Sequence, residues 1–234
     1  MRKLMTVWMV LALVASAQAG TTVLSEDFEG AAPGTSINGY NGWTATSNMV
    51  ISSGVIDSGQ SASWSGGGVT WDTGAGQAFS YTPTAEEYYI LTATLYSPTT
   101  SGTDAELHFR NGSNPETQLQ GVTICYGDMQ FGLLNTSAVI HVTPQPTIPT
   151  DVMMIFEGNT SDYYYRANGT TEWTHAGGFT GLGWSIDAYD EVFFMGHGGY
   201  AGGIDTIHLE VAPEPATMSL LAFGGLGVLF RRKR

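Results

Sequence analysis

Apolar and polar residues alternate along much of this chain with a period of two. In Ala105-Glu106-Leu107-His108-Phe109-Arg110 every second residue is apolar, so an extended segment would set one face against a core and the other outward. Ser137 to Thr143 and Asp151 to Glu157 are also strand-like, although Met153 to Phe156 is a continuous apolar run. Tyr88 to Tyr96 is apolar or threonine throughout, as expected of a central strand covered on both faces. Gly or Asn breaks recur about every ten residues, the spacing of many short antiparallel strands. Asn168-Gly169, between Tyr163-Tyr164-Tyr165-Arg166 and Thr170 to Thr174, predicts a tight hairpin because both turn positions tolerate positive φ. No amphipathic helix pattern appears between Gly20 and Ala212. The pattern predicts an all-β chain with a single antiparallel β-sandwich of jelly-roll type.

The two ends break the pattern. Arg2 and Lys3 precede an apolar run from Leu4 to Ala15, and Ala17-Gln18-Ala19 places small residues at the −3 and −1 positions of a cut. That is the layout of a secretory signal peptide, residues 1–19, with cleavage expected between Ala19 and Gly20. At the other end the apolar run Ala216 to Phe230 stops at Arg231-Arg232-Lys233-Arg234. As a helix rising ~1.5 Å per residue it covers about 22 Å, a short membrane segment. Its basic cluster would stay cytoplasmic, leaving the upstream chain outside. Pro213-Glu214-Pro215 stands just before it, held extended by its two prolines and so readable by a protease cleft.

Charge sharpens this division into 1–19, 20–212 and 213–234. Of the 8 Lys and Arg residues only Arg110 and Arg166 fall between Gly20 and Ala212, whereas only Glu214 of the 21 acids falls outside. The exported part is therefore strongly acidic and contains no lysine. Such a surface repels nucleic acid and anionic lipid, which excludes nucleic-acid binding, and it favours divalent cations or solubility. Cys125, the only cysteine, permits no internal disulfide and lies in a strand-like run as a small hydrophobe.

Pro213-Glu214-Pro215, the following Ala-Thr, the Gly-containing apolar segment (Gly224-Gly225, Gly227) and the terminal Arg/Lys cluster together resemble the PEP-CTERM sorting signal. The resemblance implies a chain handled by signal peptidase and then by an exosortase. It implies transient inner-membrane anchoring, then a cell-surface or extracellular destination in a Gram-negative bacterium that makes extracellular polysaccharide. More loosely, Glu26-Asp27-Phe28-Glu29-Gly30, Gly34-Thr35, Ile37-Asn38-Gly39 and Asn41-Gly42-Trp43 resemble the start of concanavalin A-like (LamG-like) sandwiches. Gly203-Ile204-Asp205-Thr206-Ile207-His208-Leu209 resembles their last strand. That resemblance implies pairing of the first and last strands.

Some relatives of that kind are glycoside hydrolases with an E-x-D-x-x-E strand, whose two carboxylates stand ~5 Å apart for retention. The nearest match, Ser185-Ile186-Asp187-Ala188-Tyr189-Asp190, has serine where the nucleophile belongs. No catalytic residue is expected. His108, His141, His175, His197 and His208 lack zinc-ligand spacing. No cofactor is required, and a structural calcium ion is the one candidate, at Asp27, Glu29 and Asp205 if the terminal strands pair, since calcium takes several hard oxygens. Glu26, in the same run, is another acid that pairing would bring near Asp205. Among the aromatics, Tyr164 and Trp173 are candidates for stacking on sugar rings. The expected function is a non-enzymatic acidic surface or matrix protein. Binding of extracellular polysaccharide is the alternative, and glycoside hydrolase or lyase activity comes third.

Overall fold

The computed structural model describes residues 20–45, 49–57, 59–64, 74–84, 87–98, 103–111, 120–125, 127–133, 138–144, 146–181, 189–198 and 202–213. The expected signal helix with Ala17 and Ala19, the membrane segment, and Glu214 and Pro215 lie outside these residues. Among the described residues no helix is long and apolar enough to cross a membrane.

Among the described residues fifteen strands follow in order: β1 (Thr21–Glu26), β2 (Thr44–Ala45), β3 (Val50–Ser53), β4 (Gln60–Trp64), β5 (Gly74–Ala78), β6 (Glu87–Tyr96), β7 (Thr103–Arg110), β8 (Gln120–Cys125), β9 (Asp128–Leu133), β10 (Val139–Val142), β11 (Thr150–Glu157), β12 (Thr160–Ala167), β13 (Thr174–Phe179), β14 (Glu191–Gly198) and β15 (Gly202–Pro213). They form two antiparallel sheets. The first has the order β13-β12-β11-β6-β15-β4-β3, with β1 also on β15; the second has the order β10-β9-β8-β7-β14-β5-β2. The sandwich predicted from the period-two pattern is present.

Alternation decides which side chains enter the core. From the second sheet Leu107, Phe109, Val122, Phe131, Val192 and Phe194 point inward; from the first, Tyr89, Leu91, Leu95, Val152, Met154 and Leu209 meet them. Phe109 lies edge-on to Phe156, with ring centroids 5.0 Å apart, and Trp43 meets Phe194 at the same separation. These edge-to-face pairs add about 0.5–1.5 kcal/mol each beyond area burial. Trp64 fills the space over Gly196, where a Cβ would stand 1.9 Å from the indole ring. Glycine is what lets β14 and Trp64 share that layer.

β6, read as a central strand, lies between β11 and β15. Residues Thr21 to Glu26 pair with β15, so the ends of the domain do meet. The last strand runs through Pro213, paired with Glu87, so the first residue of the proline-flanked tripeptide belongs to the sheet rather than to the tail beyond Ala212.

The hairpin at Asn168-Gly169 differs from expectation. Only Gly169 has positive φ, and pairing resumes at Thr174, opposite Tyr165. The loop is longer because Asn168 Nδ2 donates to Asp151 Oδ1 at 2.9 Å and Thr170 N–H turns back to Ala167 O at 3.1 Å. Residues 170–173 are therefore loop, not strand.

Candidate functional site

β15 has β6 along one side and two successive partners along the other. Gly202 to Ile204 pair with Trp64 to Ala62 of β4, and Ile207 to Val211 pair with Glu26 to Thr21 of β1. Between them β15 carries one extra residue relative to β6, a bulge at which Thr206 takes φ 52°. Bulges bend a strand and re-aim side chains. Here the bulge opens a gap where the end of β1 and the beginning of β4 both meet β15.

Acidic side chains gather at that gap. Asp27 and Glu29 follow β1, Asp57 precedes β4, and Asp205 starts the bulge. Glu29 Oε1 accepts from Gln60 N–H at 2.7 Å, and Asp205 Oδ1 from Thr206 N–H at 2.7 Å. A Cβ on Gly59 would stand 2.2 Å from Glu29 Oε1 and 3.6 Å from Asp57 Oδ1, so these two oxygens flank the same glycine. Asp205 is 8% exposed. Burial above all pushes its carboxyl up to about 7; the charges of Asp57, Glu29 and Asp27 add to this, and the Thr206 N–H opposes it. Gln60 Oε1 is buried beside this gap with no hydrogen-bond donor among the described residues.

The three acids named from sequence are thus brought together, and Asp57 joins them. Glu26 does not: its two oxygens are taken by Phe28 N–H (2.8 Å) and Asn41 Nδ2 (3.0 Å). As the side chains stand, no group of three or more His, Cys, Asp or Glu among the described residues is set to hold a metal ion. The arrangement instead concentrates repulsion in one partly dry place.

Tyr164 and Trp173 lie on the outward side of the β12–β13 hairpin, both half-buried. The Arg166 guanidinium sits 4.2 Å from the Trp173 ring centroid, and Tyr164 lies 4.8 Å from the His175 ring. Each aromatic thus has one face occupied. Arg166 Nε also donates to Asp151 Oδ2 at 2.8 Å, and Asp151 Oδ1 accepts from Thr94 and Asn168, both at 2.9 Å.

The second sheet's outer face is less exposed than alternation suggests. Glu106 and His108 point away from the core, yet they are 5% and 1% exposed, with His108 Nε2 2.8 Å from Glu106 Oε2. Beside them Arg110 makes a two-point contact with Glu191, at 2.6 and 3.1 Å, while stacking over Phe193. Both arginines of the exported part are therefore pinned by carboxylates and aromatic faces. His141 stands by Asp128, His175 by Asp162 and His208 by Glu210. Each described histidine side chain thus stands beside an acidic one. Residues 185–188 of the glycosidase-like stretch and the side chains of Cys125 and His197 lie outside the described residues.

Residues 211–234 match the PEP-CTERM protein-sorting motif. The motif implies export, processing by an exosortase and sorting to the cell surface. No curated protein sequence matches the chain. Among solved structures, the T. cruzi calreticulin globular domain is similar with TM-score 0.55 at 9% identity, over 86% of this chain and 92% of that one. Lectin II from Ulex europaeus gives 0.52 at 8% identity, over 82% and 100%. The GH43 BlXynB protein from Bacillus licheniformis gives 0.50 at 13% identity over 81% of this chain, which spans only 39% of that protein's length. At these identities the likeness shows the fold alone, a two-sheet concanavalin A-like sandwich.

Proposed function

We propose that this chain is an acidic protein of the bacterial surface or extracellular matrix, exported by its signal peptide, held briefly in the inner membrane, and non-catalytic. The observation that carries the reading is the continuity of β15 with the sorting motif, which begins at residue 211 inside the last strand. The match thus overlaps β15 at residues 211 to 213. Ser185 in the nucleophile's place argues against the hydrolase reading. The test is mass spectrometry of the protein from a host with an active exosortase. Gly20 should be the N-terminal residue and Arg231 to Arg234 should be missing; retention of that tail in such a host would refute the reading.

A second reading, binding of extracellular polysaccharide, is favoured by one observation. Tyr164 and Trp173 share an outward surface with Arg166, His175 and Asp162, which combines ring faces with hydrogen-bonding groups. Retention on immobilised polysaccharides separates the two readings. Structural calcium at Asp27, Glu29 and Asp205, with Asp57, is a proposal that rests on the charge these acids share at the β15 bulge; as the side chains stand they do not form a ligand set.

A further inference from the structure

We propose that removal of the signal peptide creates a structural cation: the new α-ammonium of Gly20 docks against Glu210 and the Val211 carbonyl, locking β1 to β15 beside the sorting motif. The inference rests on the export reading and on its cleavage between Ala19 and Gly20. Gly20 lies so close to β15 that a Cβ there would be 2.8 Å from Val211 O and 3.3 Å from the Glu210 carboxyl carbon. Immediately beyond it Thr21 pairs with Val211 and Thr22 with Glu210. The residue that becomes first in the mature chain is thus already seated on the last strand, two residues from Pro213.

The charge balance of this place makes the new group significant. Glu210 has one basic side chain near it among the described residues, His208 Nε2 at 3.6 Å, which is charged only when protonated. On the neighbouring β6 and β11, Tyr88 is held above its usual range by burial first, then by the charges of Glu210 and Glu157. No lysine lies between Lys3 and Lys233. In the precursor the Gly20 nitrogen is an uncharged amide. Hydrolysis consumes one water and breaks the Ala19–Gly20 C–N bond; the carboxylate leaves with the signal peptide and a proton stays on the Gly20 amine. An ammonium then appears where only acids and a histidine stood, on a residue whose Cβ position is 3.3 Å from the Glu210 carboxyl carbon.

The processed chain makes this directly readable, because once Arg231 to Arg234 are removed with the tail no lysine remains and Gly20 carries its primary amine. The chain purified after export is treated with an amine-acylating reagent between pH 6 and 9, and labelled peptides are mapped by mass spectrometry. Ion pairing should suppress labelling of Gly20 at pH 7, and Glu210→Gln should speed it by about 2–5-fold, the range for a partly exposed pair. In the wild type, ~1 M sodium chloride should produce much of the same acceleration by screening. That salt readout keeps the inference testable if the variant folds poorly. Equal labelling rates for wild type and Glu210→Gln, or a wild-type rate indifferent to salt, would overturn it. A mature N-terminus other than Gly20 would instead overturn the export reading beneath it.

Discussion

Replacing Asp205 by asparagine should stabilise the calcium-free protein at pH 8 and leave it unchanged near pH 4. The amide side chain keeps an oxygen to accept the Thr206 N–H, so the bulge retains its hydrogen bond. What the substitution removes is a charge in a place that resists one. The Asp205 carboxyl is pushed from the ordinary 3.8 to about 7, so the folded state holds its proton more tightly than the unfolded state does. The resulting stability is fully present below about 3.8 and is lost as pH rises through about 7. The difference between 3.8 and about 7 sets a ceiling of about 4 kcal/mol. Relaxation of Asp27, Glu29 and Asp57 will reduce it. For a domain of this size each kcal/mol moves Tm by about 2–4 °C. Thermal melts of both proteins in chelator from pH 4 to 8 should therefore diverge steadily, the variant melting higher at alkaline pH. A difference that stays constant across that range would refute the reasoning. Millimolar calcium reverses the order if a cation is bound by the native state, since a hundredfold excess over Kd adds about 2.7 kcal/mol to wild type alone. Sodium at equal ionic strength supplies the screening control.

Other outcomes follow from single contacts. Asp151→Ala should cost about 3 kcal/mol in urea melts, because Arg166, Thr94 and Asn168 all direct donors at that carboxylate and Arg166 is left uncompensated. Gly196→Ala should cost about 1–3 kcal/mol or prevent folding, since its Cβ would overlap Trp64; a neutral result would mean the ring has room to move. If the polysaccharide reading holds, Trp173→Ala and Tyr164→Ala should each weaken retention on polysaccharide about tenfold without altering m-values, whereas undiminished retention would remove these two rings from the binding surface.

Period-two alternation made the sandwich legible because burial between sheets imposes it on every strand, and Leu107 and Phe109 announce their face without help from neighbours. What the other face does was not legible. Glu106 and His108 look like solvated positions in sequence, and only the packing around Phe193 and Met195 shows them buried. The terminal acids were found because the ends of such a sandwich pair, which makes Asp27, Glu29 and Asp205 neighbours from opposite ends of the chain. Asp57 was missed since its arrival depends on where β4 hands β15 over to β1, a matter of register. The Asn168-Gly169 signal located the turn correctly but not its length. The Asn168 side chain serves Asp151, a partner seventeen residues away that local turn chemistry does not see.

The position of β15 also sets how the domain bears force. A protein attached through its C-terminal end is pulled along that strand, which lies between β6 on one side and β4 and β1 on the other. Load entering at Pro213 runs parallel to the strand, so it shears many ladder hydrogen bonds at once instead of peeling them singly. A C-terminal edge strand would unzip under the same tension. Attachment at an interior strand would make the sandwich resist unfolding under tension from its C-terminal end.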